Sequence, residues 1–382
     1  MHNVHINMNE FTNASRVLKQ VNSLIKAKVF KKITIIALGS KELPKHEHIA
    51  QDIELYRINL ITRNLPKSLP FQLIKYVEFL IRCLLLMRRL KPRVVNAHAL
   101  GVLPICFLAK KLFGARLVYD AHELETEQVG GMNLRKRLSK KLEKKLIHKA
   151  DMTLVVSESI ADWYANEYNI ARPPVVLNAP NTRELKINNH FREQLGIRED
   201  QIILLYQGGL MPGRGVHLIL EAFKQRKDDK VVAVFMGYGS LEADIKIAAE
   251  QHSNIYFFPA VPPQVVLEYT ASADMGIHLI QNTCLNHNYC MPNKLFEYAM
   301  AGLPVLVSNM KDMSELVTRY AMGAVISDFS AEGINQAIDN FLEQDLTSMK
   351  ANAYQAACEN AWEVQEQKML AAYQQLLNPA EL

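Results

Sequence analysis

The chain has 382 residues, 49% hydrophobic and 22% charged, a length that exceeds what one hydrophobic core usually organises, so two domains are expected. The balance of 44 Lys+Arg against 39 Asp+Glu gives +5, which does not by itself argue for nucleic acid, and no such partner is expected. Five scattered cysteines (Cys83, Cys106, Cys284, Cys290, Cys358) suit a reducing cytoplasm, the expected location.

The opening MHNVHINMNEFTNASRVLK is too polar for a signal peptide. Val17, Leu18, Val21, Leu24 and Ile25 then follow helical spacing, with Asn13 and Ser15 as cap candidates. Strand candidates follow at 33–38, 93–97, 116–120 and 153–157. Between the first two, residues 70–92 are apolar but interrupted by Lys75, Glu78, Arg82, Arg88 and Arg89. That segment is too charged to span a bilayer, and a core helix is expected ahead of a membrane-lying one. LRKRLSKKLEKKLIHK, 134–149, carries eight Lys or Arg and one Glu, with Leu134, Leu138, Leu142 and Leu146 every four residues. Either the leucines pack and the basic face is solvated, or the helix attracts anionic lipid or an acidic substrate.

The Pro- and Asn-rich stretch 171–193 breaks the pattern. The expected division is a first domain over 1–177, a linker over 178–190 and a second domain over 191–360. A C-terminal helix over 361–382 either stays on the second domain or crosses back. Further strands are expected at 202–207, 231–237, 255–259, 275–280 and 304–308. Strands alternating with helices predict parallel sheets covered on both faces, with ligands beyond the strands' carboxyl ends.

Two strand ends there are glycine-rich. Gly208, Gly209, Gly213 and Gly215 surround Arg214 just before a helix, a candidate anion site. Gly237 and Gly239 repeat the arrangement one strand later. A short helix in MPNKLFEYAMAGLPV, 291–305, follows the strand near 275–280. Its first turn carries Asn293, Lys294 and Leu295, and a cation there opposes the helix dipole. Lys294 either meets an anion or reaches solvent; Glu297 either serves a ligand or complements the dipole. Cys284, His287 and Cys290 lack the second ligand cluster of a zinc site, so no metal is expected. There is no dinucleotide fingerprint or Walker lysine motif.

YQGGLMPGRG, MGYGSLEADI and MPNKLFEYAMAGLPVLVS, in that order, resemble the GT-B glycosyltransferases, specifically the retaining family 4 enzymes. NASRVLKQVNSL, VVNAHAL and LVYDAHEL agree in the first half, so the resemblance covers nearly the whole chain. It implies an α/β fold of two Rossmann-like domains facing each other across a cleft. The second would bind a nucleotide diphosphate sugar, UDP-linked ahead of GDP-linked.

Arg214 matches the second basic position at the diphosphate. The first, usually Arg, is Gly209, and Lys294 is the candidate for the missing charge. Glu297 matches the glutamate that accepts from ribose hydroxyls. The sugar-binding glutamate eight positions earlier is replaced by Tyr289, so sugar recognition passes to Tyr289 or Asn288. His122 matches the histidine beside the transferring sugar, with His98 and Glu123 as acceptor-side candidates. The first loop, NEFTNAS, lacks the glycines that many relatives use near the diphosphate.

The implied activity is transfer with retention to a glycan or lipid-linked acceptor in surface polysaccharide synthesis, with peripheral membrane contact. Positioning and electrostatic stabilisation of the leaving diphosphate would supply the catalysis, without metal or cofactor. The alternatives are a partner subunit that binds without transfer and a nucleotide-sugar epimerase.

Overall fold

A computed structural model of the chain describes residues 1–12, 14–129 and 134–377. It divides into two compact units, Met1–Val176 with the chain from Glu366 onward, and Leu177–Gln365.

The first unit is built on seven strands: β1 (His2–Ile6), β2 (Lys32–Leu38), β3 (His46–Ala50), β4 (Ile53–Ile58), β5 (Val94–His98), β6 (Arg116–Asp120) and β7 (Met152–Leu154). Their order is β3-β4-β2-β1-β5-β6-β7. All neighbours are parallel except the β3 edge, which runs antiparallel to β4. The central strand β1 is a correction to the sequence reading, which saw only a polar opening, and β3 and β4 were likewise unforeseen. The polarity of β1 is buried but bonded. Tyr373 donates its hydroxyl to Asn96 at 2.5 Å, Asn96 donates to Asn3 at 2.5 Å, and Asn3 donates to His5 Nε2 at 3.0 Å.

Two helical expectations in this unit need correction, and one of the two readings of the basic helix fails. The first helix, Ser15–Lys26, has Ala14 at its N-cap with no side-chain cap, so Ser15 is already helical; Asn13 lies outside the described residues. The long helix Leu69–Leu90 is not a core helix: it buries only Phe79, Cys83 and Met87. Leu73, Ile74, Val77, Ile81 and Leu85 face outward at 43–63% exposure. The leucine stripe of the basic helix Leu134–Ile147 does not pack either, since Leu134, Leu138 and Leu142 are exposed. That helix seats itself through Leu146, Ile147 and the fully buried Glu143, whose carboxylate accepts from the hydroxyls of Tyr119, Tyr164 and Tyr168 at 2.6–2.7 Å.

The second unit holds six parallel strands: β8 (Ile202–Gly209), β9 (Val231–Tyr238), β10 (Ile255–Pro259), β11 (Met275–His278), β12 (Val305–Ser308) and β13 (Gly323–Ile326). Only β13 was unforeseen. Runs such as VVAVF in β9 are buried on both faces, as a parallel sheet between helices requires. The order is β10-β9-β8-β11-β12-β13, so strand order reverses between β8 and β11. In the first unit it reverses between β1 and β5. Ligand sites of open parallel sheets form at these reversals.

Residues 178–190 group with the second unit: Pro180 accepts from the Trp362 amide at 2.9 Å, and Glu363 accepts from Asn181 and Thr182. The last helix, Trp362–Leu377, begins there and passes to the first unit from Glu366 onward, where Met369, Tyr373 and Leu376 are buried.

Candidate active site

At the reversal in the second unit, β8 ends in bare backbone. Gly208 is left-handed at φ +117°, and a Cβ there would lie 3.1 Å from the Lys294 ammonium. Gly237 pairs with Gly208 across the sheet, and its Cβ would fall 1.9 Å from the Gly208 carbonyl oxygen. A Cβ on Gly239 would meet the Leu210 carbonyl oxygen at 2.3 Å. Gly209 is different: its Cβ would find nothing nearer than Arg214 Cδ at 3.9 Å, so the backbone does not require glycine. Arg214 is exposed between Gly213 and Gly215, which caps the helix Val216–Gln225, and makes no ion pair among the described residues.

The short helix of the MPNKLFEYAM run spans Asn293–Met300, with Pro292 at its N-cap. Lys294 does not reach solvent. It is 9% exposed, its Nζ lies 4.3 Å from the centre of the Tyr206 ring, and it has no hydrogen-bond partner among the described residues. Burial, reinforced by Arg214, pushes its pKa down to about 7. Glu297, half-buried three residues on, accepts from Gln207 Nε2 at 2.5 Å. Gln207 in turn accepts from Thr270 Oγ1 at 2.7 Å, and its amide donates to the Tyr298 hydroxyl at 2.9 Å. The carboxylate is thus held by a chain anchored in the sheet.

Other candidates fall around this cluster. Asn293 is exposed at the helix start. Leu295 is fully buried and its amide donates to the Pro292 carbonyl. Tyr289 is half-buried after the short helix Leu285–Asn288, with Lys311 Nζ 5.8 Å from its ring centre. His287 Nδ1 faces the Gln281 carbonyl oxygen and Thr283 Oγ1, each at 3.0 Å. Sequence reading missed Gln207 and His278. Each is a polar residue near the carboxyl end of an otherwise apolar strand, and that placement is the only signal the sequence offers for them.

In the first unit, His122 follows β6 and keeps its side chain about a third exposed. Its Nε2 lies 3.0 Å from Asp120 Oδ2 and 3.2 Å from His98 Nδ1. Asp120 is buried and gripped by Arg16 through both oxygens at 2.7 and 3.1 Å, and by Gln20 at 2.8 Å. Burial alone would raise its pKa, but Arg16, His122 and His98 hold it well below the carboxylate range. His98 is 2% exposed, with Nε2 2.8 Å from His5 Nδ1 and Nδ1 3.2 Å from Asp120. Both its nitrogens are occupied, by His5 on one side and by Asp120 and His122 on the other. Burial lowers the pKa of His98 and, further, of His5. His98, Asp120 and His122 have a metal-ligand composition, but Arg16 already neutralises the carboxylate. Glu123 is exposed and accepts from Gln128. In the opening loop, Phe11 takes a left-handed φ of +58°, a turn that glycine would make without strain.

The family described as "Glycosyltransferase Family 4" matches residues 26–181, and "Glycosyl transferases group 1" matches residues 188–359. The chain belongs to the GT-B glycosyltransferases, of the family 4-like type. One relative of this GT-B chain is WcaI of Escherichia coli K12, named as a colanic acid biosynthesis glycosyl transferase. It is 26% identical over 200 residues, covering 46% of this chain and 48% of that one. The chain spans about half the length of the curated relatives it matches. Sucrose-phosphate synthase from Thermosynechococcus elongatus superposes with a TM-score of 0.80 at 13% identity, over 99% of this chain and 100% of that one. HepE of Anabaena, solved in complex with UDP, gives 0.69 at 14%, over 100% of each. These likenesses carry the GT-B fold.

Proposed function

We propose that the chain transfers a sugar from a UDP-sugar to a glycan or lipid-linked acceptor in surface polysaccharide synthesis, with retention and without a metal. The observation that carries this reading is the buried, unpartnered Lys294 ammonium beside Gly208 and Arg214, at the strand-order reversal. A buried ammonium without a partner is costly, and a diphosphate is the anion that such glycine-lined strand ends admit. Lys294 then supplies the charge absent at Gly209, and Glu297 accepts from the ribose. A solved GT-B neighbour holds UDP, and WcaI is named for colanic acid synthesis, which favours UDP and a surface glycan.

On the first unit, His122 turns Nε2 to Asp120, leaving Nδ1 for the departing phosphate. The carboxylate behind it fixes the orientation of a ring that donates to the developing charge. With the leaving phosphate assisting the incoming hydroxyl on the same face of the sugar, no separate protein base is needed. The anomeric configuration of the first product, read by NMR, checks retention.

The acceptor side is proposed to rest on the cytoplasmic face of an anionic bilayer. No described helix is long and apolar enough to cross one. Instead Leu69–Leu90 and Leu134–Ile147 both turn leucines outward among Arg88, Arg89, Arg137, Lys141 and Lys145. Outward apolar side chains beside basic ones fit an interfacial helix.

A panel of nucleotide sugars with purified protein tests the reading. UDP release with Lys294 intact and its loss in Lys294→Ala are expected. Bound nucleotide with no donor turned over favours a non-catalytic partner subunit.

A further inference from the structure

Five buried side-chain atoms lack a hydrogen-bond partner among the described residues, and three lie in one place: Lys294 Nζ and both ring nitrogens of His278. Buried polar groups are nearly always bonded, so each orphan calls for an explanation such as strain or a missing ligand. His278 is the last residue of β11 and is 2% exposed. It stands opposite Val307 on β12, two residues past Gly276, which pairs with Leu205 on β8. That register sets it at the strand-order reversal, level with Gln207 and one residue short of Gly208. The charged groups acting on it are Lys294, Arg214 and His287, all basic. Those acting on Lys294 are Arg214, Glu297 and Cys290, and Glu297 is already bonded by Gln207. The result is a buried, basic cluster beside the bare backbone of Gly208, whose own fold supplies little negative charge.

We propose that His278 and Lys294 together form the inner wall of a diphosphate subsite, and that a nucleoside diphosphate binds there with uptake of a proton from solvent by this pair. The proposal rests on the donor reading above and adds His278 and the proton to it. In the empty site, burial and the neighbouring cations favour the neutral forms. Lys294 is pushed down to about 7, and burial, with Lys294 and Arg214, drives His278 well below its ordinary range. An anion within hydrogen-bond reach reverses that preference, because an opposite charge at short range favours the protonated form. No covalent bond changes; the proton passes from buffer to a nitrogen of the pair.

The test is calorimetry of UDP binding at pH 8 in two buffers of different ionisation enthalpy. The UDP phosphates are fully ionised there, so the difference in heat counts protons taken up by the protein. Wild type is expected to take up a proton, and Lys294→Arg, charged throughout, to lose most of that uptake. His278→Leu is expected to weaken UDP and inorganic pyrophosphate by about tenfold or more while uridine binds as before. The same variant, freed of an orphaned polar group, should melt no lower than wild type; a purely structural histidine would give a lower Tm and unchanged UDP affinity. UDP binding without proton exchange and without dependence on His278 overturns the proposal. Pyrophosphate binding that depends on His278, with no binding of UDP, keeps the subsite and removes the UDP reading. Binding of neither removes both.

Discussion

Lys294 is stable in its place only because the fold around it is strong, and that tension is measurable. Its folded pKa of about 7 lies below the ordinary 10.5 that holds in the unfolded chain. Between those values the unfolded chain keeps a proton that the folded one has shed, so stability should rise with pH, by up to about 1.4 kcal/mol per unit. Below pH 7 the full cost is present; above 10.5 it is gone. Lys294→Met should therefore be more stable than wild type near pH 7, with the gap closing towards pH 10, as followed by denaturant midpoints. A flat difference would mean that Lys294 is not desolvated. Gly208 is tied to the same residue: Gly208→Ala forces a side chain into φ +117° and against the ammonium. It should lose about 1–3 kcal/mol of stability and weaken nucleotide binding, read by melting and titration. Gly209→Arg has room and should fold normally.

Lys294 was legible in the sequence because a cation at a helix start breaks a physical rule. Gln207 and His278 were not, because a polar residue closing an apolar strand looks like an ordinary strand end. Only the register of β8 against β11 gives them a site.

Helices and strands carry a different lesson. Residues 70–92 were expected to pack, and packing was one of two readings of the leucine stripe, yet the long helix and Leu134, Leu138 and Leu142 present apolar side chains to solvent. Periodicity locates a stripe, but it does not say what covers it. In the basic helix, the packing face is chosen by Glu143, the one acidic residue, because three tyrosine hydroxyls converge on it. Glu143→Ala strands those hydroxyls and should cost about 3 kcal/mol in chemical denaturation. The outward faces predict co-sedimentation with vesicles containing anionic lipid. Ile81→Glu with Leu85→Glu should abolish it while leaving the melting temperature within about 2 °C. Retained binding would move the docking surface elsewhere. The strand β1 was hidden for the opposite reason: its histidines and asparagine look solvated until Thr34 beside His2, His98 beside His5 and Asn96 beside Asn3, all distant in sequence, are seen to satisfy them.

For the whole molecule, strand alternation and the broken stretch at 171–193 made two parallel-sheet domains legible, and three glycine-bearing motifs made the family legible. The path of the last helix was not. Its amphipathic pattern fits either unit, and only partners such as Asn96 for Tyr373 and Ser23 for Glu366 assign its second half. Removing residues from Glu366 onward should therefore destabilise the first unit and spare the second, which hydrogen exchange would resolve by peptide. Protection lost in the second unit instead would contradict the division.

The proposed activity depends on Lys294 meeting the diphosphate of a donor sugar during turnover. Release of UDP from a UDP-sugar, measured for wild type and Lys294→Met on proteins shown to be folded, tests it most directly. Turnover by wild type and a loss of about tenfold or more in kcat/KM for the variant are expected, the range of a lost charged hydrogen bond. Equal rates for the two proteins would contradict it.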